Sequence, residues 1–557
     1  MQEEISRTIK EAVKELFSVD LNVELTRPEE QFGDFATNVA LQIAHKAGQT
    51  PREVAQAIAD KLKDKLDIQV AGPGFINITL KDSDLFQAAS NAPGSKLQLF
   101  AGQTILAEYS DPNPLKPLHA GHLYTTLVGD AISRLIENAG AKTIRINYGG
   151  DVGLHVGRGM WAIIRQLGGE NPEKLEEVPQ NDRAGWLGRM YADGTAAYEE
   201  DPVAKEEIID INRRVYKLHA DNDRDSAFAI IYWTVRQWSY DYFVTLYEQL
   251  QVKPFDRFLP ESEVSELGLE TVKAQTGDIY EESDGAVIFN GEKHGLHKRV
   301  FITSNGLPTY EAKDVGLLLT KWQDYHYDKS IVITANEQAQ YFEVMLKSVE
   351  QFEPEPAGKT KHLTHGVVKL QGGIKMSSRK GNVLLAYDIL QAAEKSAKEL
   401  NENSSYDTVL AAVKYAFIKP RIGGDIVYDP NESVSLEGNS GPYLQYAHAR
   451  ARSILGKAKG SVFGVGSSEL ELNPGERSLT RKVSEYPDVV EKATKELLPH
   501  YIATYLYELA QIFNSFYEKN RVIGDEREEL RLKLVNLYAD TLKNGLELLG
   551  ITAPDKM

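Results

Sequence analysis

The chain has 557 residues, 26% of them charged and 42% hydrophobic, with a formal net charge of -18 and no cysteine. That length exceeds what one hydrophobic core can hold, so three to five structural units of ordinary globular composition are expected. The missing cysteines exclude disulfides and thiolate zinc sites and are compatible with a reducing compartment. The acidic balance argues against indiscriminate binding to nucleic acid, and no apolar run reaches the roughly 18 residues of a membrane span.

In chain order, MQEEISRTIKEAVKELF reads as a charged amphipathic helix without the apolar stretch of a secretory leader. In TPREVAQAIADKL, Thr50 can cap a helix, Pro51 takes its first position and Glu53 completes a capping box. IQVAGPGFINITL alternates like two strands around Gly72, Pro73 and Gly74. Residues 1–98 therefore form a small α+β N-terminal domain that ends in the linker-like NAPGSKLQ. QTILAEYS and KTIRINYGG are short buried strands; between them Leu123, Leu127, Ala131, Leu135 and Ala139 recur at helical spacing, with Gly140 as the stop.

Strand, loop, helix and strand in that order predict an α/β, Rossmann-type parallel-sheet domain, extending over residues 99–430. Residues 155–255, rich in Trp and Tyr, read as a mostly helical insertion; SDG and SNG mark turns in the 260–310 stretch. The apolar strand SIVITAN then precedes another helix, QAQYFEVMLKSVEQF. Residues 431–557 read as an all-α bundle.

Two stretches raise a functional question. In EYSDPNPLKPLHAGH, residues 108–122, three prolines stiffen a loop whose single cation is Lys116, and His119 and His122 stand where the loop becomes a helix. A helix N-terminus has free N–H groups and partial positive charge, which suits phosphate, and Gly121 leaves room for a nucleotide. The two histidines could equally cap the helix and fill the loop. Some 250 residues on, GGIKMSSRKGN surrounds cations and serines with glycine, the composition of a segment able to move ammonium groups onto a polyphosphate. Residues 359–382 and 441–460 each carry several Lys and Arg and no acid, and the second interleaves Tyr443, Tyr446 and His448. Cations among aromatics suit polyanion contact with base stacking, although solvated helix faces would look similar.

These motifs together resemble a class I aminoacyl-tRNA synthetase: HAGH is similar to that family's first signature and KMSSR to its second. More closely, EYSDPNPLKPLHAGH, LPTYEAKDVG, SLEGNSGPYLQYAHARARSIL, FGDFATNVALQIA, GPGFINITL and LGITAPDKM resemble the arginyl-tRNA synthetases over nearly the whole chain. The resemblance implies ATP-dependent attachment of L-arginine to tRNA(Arg) through arginyl-adenylate, in the cytoplasm, by a monomer. Magnesium would enter with ATP, and zinc would have no role. The alternatives are a non-catalytic tRNA-binding paralogue, which would be expected to lose signature residues, and a smaller His-x-Gly-His nucleotidyltransferase, which would need no RNA modules.

Residue by residue, the resemblance implies that Lys116, His119, His122 and Lys375 are catalytic and that ATP also meets Gly121, Met376 and Ser377. It assigns arginine to Glu108, Asn113, Tyr310, Asp314 and Gln338. Gln340 is close enough to compete for the last role, and Asp314 alone could be a cap or a surface charge. It assigns tRNA to Phe75, Asn77, Tyr443, Arg450, Tyr517 and Met557, any aromatic of which could instead be core. The departure is Ser378, where the general second signature has a lysine. Lys116, just upstream of HAGH, is the candidate replacement.

Overall fold

The computed structural model describes residues 2–371, 384–458 and 470–557. At the N-terminus the predicted helix Pro51–Leu62 forms, with the Thr50–Glu53 capping box closed in both directions. The strands Asp67–Ala71 and Phe75–Thr79 pair antiparallel across the Gly72–Gly74 turn, and Phe35–Thr37 adds to the other side of Phe75–Thr79. One face of this small sheet buries Ile76 and Ile78 against Ile43, Val54 and Ile58 of the flanking helices.

The central sheet has five parallel strands: β1 (Thr104–Glu108), β2 (Lys142–Gly149), β3 (Arg257–Pro260), β4 (Lys329–Ala335) and β5 (Thr360–His365), in the order β3-β2-β1-β4-β5. The crossover from β1 to β2 is helix α1 (Ala120–Asn138), and the predicted Leu123, Leu127, Ala131, Leu135 and Ala139 are all buried. Three of the strands were predicted. The two that were not, β3 and β5, are the edges. β3 has only four residues, and β5 reads TKHLTH, polar enough to carry no hydrophobic period. Strand order reverses between β1 and β4, so a crevice opens at their carboxyl ends, where ligands of such sheets bind.

Two insertions interrupt the sheet. Between β2 and β3, the helices Leu154–Gln166, Arg183–Glu200, Pro202–Ala220 and Ala227–Gln249 pack around Trp161, Trp186 and Trp238. Between β3 and β4 come the helix Glu261–Ala274, a three-stranded antiparallel sheet and helix α2 (Tyr310–Tyr325). The C-terminal bundle is built from Gly441–Lys457, Pro474–Ser484, Tyr486–Glu496, His500–Lys519 and Glu528–Leu548. Its helices Pro474–Ser484 and Tyr486–Glu496 also meet the N-terminal unit: Arg477 pairs with Asp34 and Asp82, and Arg27 reaches Asp488 at 3.0 Å.

Helix α2 is held backbone to backbone against Glu261–Ala274. A β-carbon on Gly268 would lie 2.0 Å from the carbonyl oxygen of Ala312, and one on Gly316 would lie 2.1 Å from that of Val264. This crossing places Asp314 beside the sheet. Gly316→Ala must force the helices apart, so a loss of about 1–3 kcal/mol is expected. Thermal denaturation reads it as a lowered Tm; an unchanged Tm would mean that the crossing is slack.

Candidate active site

The chain leaves β1 at Glu108 and reaches α1 through a loop held in costly geometry. Ser110, Asp111 and Leu115 have φ of 75°, 48° and 65°, a region that L-residues rarely adopt. Each is tied down: the Ser110 hydroxyl lies 2.7 Å from the Tyr247 hydroxyl, the Asp111 carboxylate accepts from the Tyr148 N–H at 2.8 Å, and the Leu115 N–H donates to Ser239 at 2.9 Å. The Asn113 side-chain oxygen accepts from the Gly150 N–H at 2.9 Å. A β-carbon on Gly150 would lie 2.7 Å from that oxygen, which explains a glycine after Gly149. The loop's rigidity thus comes from the insertion helix and β2 as well as from its prolines.

At the head of α1 the two histidines cap reciprocally. His119 Nδ1 accepts from the N–H groups of Gly121 and His122 at 3.1 and 3.4 Å, and His122 Nδ1 accepts from the His119 N–H at 3.3 Å. The rings stack with centroids 3.7 Å apart. Because a backbone N–H can only donate, both Nδ1 atoms are unprotonated, and each neutral ring carries its proton on Nε2. Burial, then the charge of Lys116, pulls the pKa of His119 down to about 4; burial and then His119 hold His122 well below the usual range. This corrects the expectation of free N–H groups at the helix start: His119 itself consumes those of residues 121 and 122. Gly121 has a local reason, since a β-carbon there would lie 3.0 Å from the His119 ring. What these rings offer a ligand is two Nε2–H donors.

Lys116 is half-buried, with its ammonium 5.2 Å from the centre of the Tyr191 ring on the helical insertion. Lys375, Met376, Ser377 and Ser378 lie outside the described residues.

The acidic side of the crevice combines β1 and α2. Glu108 is buried and bonded to Lys321, a partner that the sequence reading missed. Asp314 is buried and accepts from the Tyr341 hydroxyl at 2.9 Å. Burial, and then the nearby Glu108, raise its pKa to about 8. Burial and Glu108 also push Asp111 well up. On the same helix Lys313 pairs with Glu261 at 2.8 Å, and its ammonium lies 5.4 Å from the ring of Tyr310, which is exposed. Gln338 follows β4, half-buried, while Gln340 is exposed. Glu108 and Asp314 are therefore brought together, whereas Asn113 spends its oxygen on the loop. Lys321, Tyr341 and Asp111 were missed because nothing local marks them; Lys321 and Glu108 lie 213 positions apart.

Elsewhere, Phe75 is exposed at the start of its strand, and Asn77, two residues on, is buried. In the bundle, Arg450 lies 4.7 Å over the Tyr517 ring, Tyr443 accepts from Asn514 at 2.9 Å, and Tyr446 and Met557 are exposed. The acid-free stretches are partly neutralised from a distance: Lys359 pairs with Glu355, Lys369 with Asp425, and Arg452 with Asp540 and Asp555. Among the described residues no cluster of three or more His, Asp or Glu side chains is placed to hold a metal ion, and no helix is long and apolar enough to cross a membrane.

The sheet order, the histidine-capped helix at its switch point and the helical C-terminal bundle define a class I aminoacyl-tRNA synthetase. Comparison with known families agrees: residues 87–427 match the catalytic domain of class I (R) tRNA synthetases, residues 1–80 the arginyl-tRNA synthetase N-terminal domain, and residues 444–557 the DALR anticodon-binding domain. The arginine–tRNA ligase of Pasteurella multocida is 30% identical, with 95% of this chain and 96% of that one aligned. That of Flavobacterium psychrophilum is 28% identical over the full length of both. In fold the chain is similar to the arginyl-tRNA synthetases of Thermus thermophilus (TM-score 0.81, 24% identity, all of both chains) and Plasmodium falciparum (TM-score 0.80, 23% identity, 100% and 99% of the chains). The chain belongs to the arginyl-tRNA synthetase family and catalyses the ATP-dependent attachment of arginine to tRNA.

The reciprocal caps make a spectroscopic prediction. Nitrogen NMR should find both imidazoles neutral and protonated on Nε2 from pH 8 to pH 5, with His119 titrating at about 4. The unfolded chain takes up these protons near pH 6.5, so the histidine contribution to stability is complete above that pH and is lost as pH falls through about 4. A His119 midpoint above 6 would mean that the rings are not held this way.

Proposed function

We propose that the reaction runs on the crevice between β1 and β4. Asp314 and Tyr310 contact the guanidinium side of arginine, with Glu108, Asn113 and Gln338 around the rest of it. The arginine carboxylate attacks the α-phosphate of ATP; the new bond joins carboxylate oxygen to phosphorus, and the bond to the bridging oxygen breaks as pyrophosphate leaves. The Nε2–H groups of His119 and His122 donate to phosphate oxygens as charge develops there, and Lys116 and Lys375 supply ammonium groups. The terminal 2'-hydroxyl of tRNA then takes the arginyl group and AMP leaves. Met376, Ser377 and Gly121 adjoin the nucleotide, and magnesium arrives as the ion of Mg-ATP rather than in a fixed protein cage. Phe75, Asn77, Tyr443, Arg450, Tyr517 and Met557 face tRNA. On the same reading the protein works as a monomer in the cytoplasm, with its N-terminal, catalytic and bundle domains at residues 1–98, 99–430 and 431–557.

The observation that carries this assignment is a pair of neutral, Nε2-protonated imidazoles at a switch point whose other wall is a buried carboxyl that forms no ion pair among the described residues. Arginine presents a planar, permanently charged fork of N–H donors that such a carboxyl fits. In the free enzyme Asp314 is largely protonated below pH 8. Binding arginine must expel that proton, so the KM for arginine should fall by up to about tenfold per pH unit from pH 6 to 8. In aminoacylation assays with each of the twenty amino acids, arginine alone should be transferred. Asp314→Asn should flatten the pH profile and raise the KM for arginine by an amount in line with the about 3–5 kcal/mol of an abandoned buried charge. A KM within threefold of the parent would remove Asp314 from the pocket.

Lys116→Ala should lower kcat by about 10²–10³ with a smaller effect on the KM for arginine, the scale of a lost preorganised donor. Adding Ser378→Lys should restore part of the rate. A single variant within threefold of parental kcat would return Lys116 to the surface residues.

A further inference from the structure

At the carboxyl end of β2, one strand from Glu108, stands a side chain that neither the motifs nor the assignment above uses. Tyr148 packs with Ile144 onto the small cluster that contains Val264 and Leu317. Val264 is one turn from Glu261 and Leu317 one turn from Asp314, so the ring faces the seam between the two helices that carry these carboxyls. Its backbone N–H is taken by Asp111 at 2.8 Å. Its hydroxyl is sealed from solvent and has no hydrogen-bond partner among the described residues. A buried hydroxyl without a partner costs free energy, and native folds retain few of them. Burial, then the charges of Glu261 and Asp314, push its pKa well above the ordinary phenol, so it stays protonated and neutral.

Beside it, the neighbouring groups are already engaged. Tyr341 donates to Asp314, and Lys313 to Glu261. A phenol among carboxyls has one use that they lack: it accepts from a cationic N–H without adding negative charge, while its own proton remains available to a carboxylate. We propose that Tyr148 is a specificity-determining residue of the arginine site, its hydroxyl accepting a guanidinium N–H beside Asp314. This rests on the assignment of Asp314 to arginine. A compact ammonium, held by Asp314 alone, would not span to the phenol, so the contact favours the planar guanidinium over lysine.

The test is Tyr148→Phe, which keeps the ring and its packing. The KM for arginine should rise about ten- to a hundredfold, the scale of a hydrogen bond to a charged group, with kcat and the KM for ATP within threefold of the parent. Discrimination against lysine, as the ratio of kcat/KM values, should fall by the same factor. The ligand-free variant should melt at or above the parental Tm, because an unpaired buried hydroxyl has been removed; a hydroxyl with a structural role would lower it. Asp314→Asn is measured alongside. If it raises the KM for arginine and Tyr148→Phe leaves it within twofold, this inference is wrong and the Asp314 assignment stands. If neither variant moves that KM, both are wrong. A lowered Tm accompanied by a matching loss of kcat would also overturn the proposal, since the hydroxyl would then be holding the fold.

Discussion

Asp314 is a buried carboxyl that forms no ion pair among the described residues. Around it several buried acids are answered by cations: Glu108 by Lys321, Glu261 by Lys313, and Asp151 by Arg236. Asp314 accepts from the hydroxyl of Tyr341, and the Glu108 charge works against its ionisation. Isolated carboxylates are expensive to bury, so in the absence of ligand the group keeps a proton. Much of the surrounding architecture can be understood as what is needed to keep it there. The glycine contact between Gly268 and Gly316 sets the depth of helix α2, and the burial of Lys321 on the next turns of that helix ties Glu108 to the same wall.

The opposite wall solves a different problem with similar means. A phosphate site at a helix start is usually built from free N–H groups, yet here His119 and His122 occupy that position with their own rings. The cap fixes the tautomer, the stack fixes the ring planes, and burial together with Lys116 removes the positive charge. The resulting donors are neutral and directional. On the proposed assignment positive charge comes from elsewhere, from the lone lysine of a loop whose backbone is strained at Ser110, Asp111 and Leu115. Strain of this kind persists only where several neighbours enforce it, and here the neighbours belong to β2 and to the last helix of the insertion. The insertion therefore shapes the reacting end of the molecule as well as decorating it, most directly where Tyr191 meets the Lys116 ammonium.

The two ends of the chain meet away from this crevice. Arg27, Asp34 and Asp82 of the N-terminal unit are paired across to Arg477 and Asp488 of the bundle. In a family whose substrate is a long, folded RNA, a direct brace between first and last domains fixes the spacing of two surfaces that would otherwise be joined only through the catalytic body. These pairs are partly shielded from solvent, so their geometry counts for more than their individual energies.

What the sequence determined alone is what neighbouring residues determine. Hydrophobic period and capping marked β1, β2, β4, α1 and the Pro51–Leu62 helix, because such elements are chosen by interactions within a few positions. Contiguous motifs marked His119, His122, Lys116, Glu108 and Asp314 as candidates, because loop and helix-start chemistry is written in consecutive residues. The edge strands β3 and β5 escaped, being too short or too polar to show a period. The tertiary structure alone decided the partners: Lys321 for Glu108, Tyr341 for Asp314, Tyr191 for Lys116, and the distant acids that neutralise Lys369 and Arg452. Those choices follow from strand order and helix crossing, which bring together side chains tens to hundreds of residues apart. Charge, tautomer and protonation at the site depend on those neighbours, so no reading of consecutive residues could contain them.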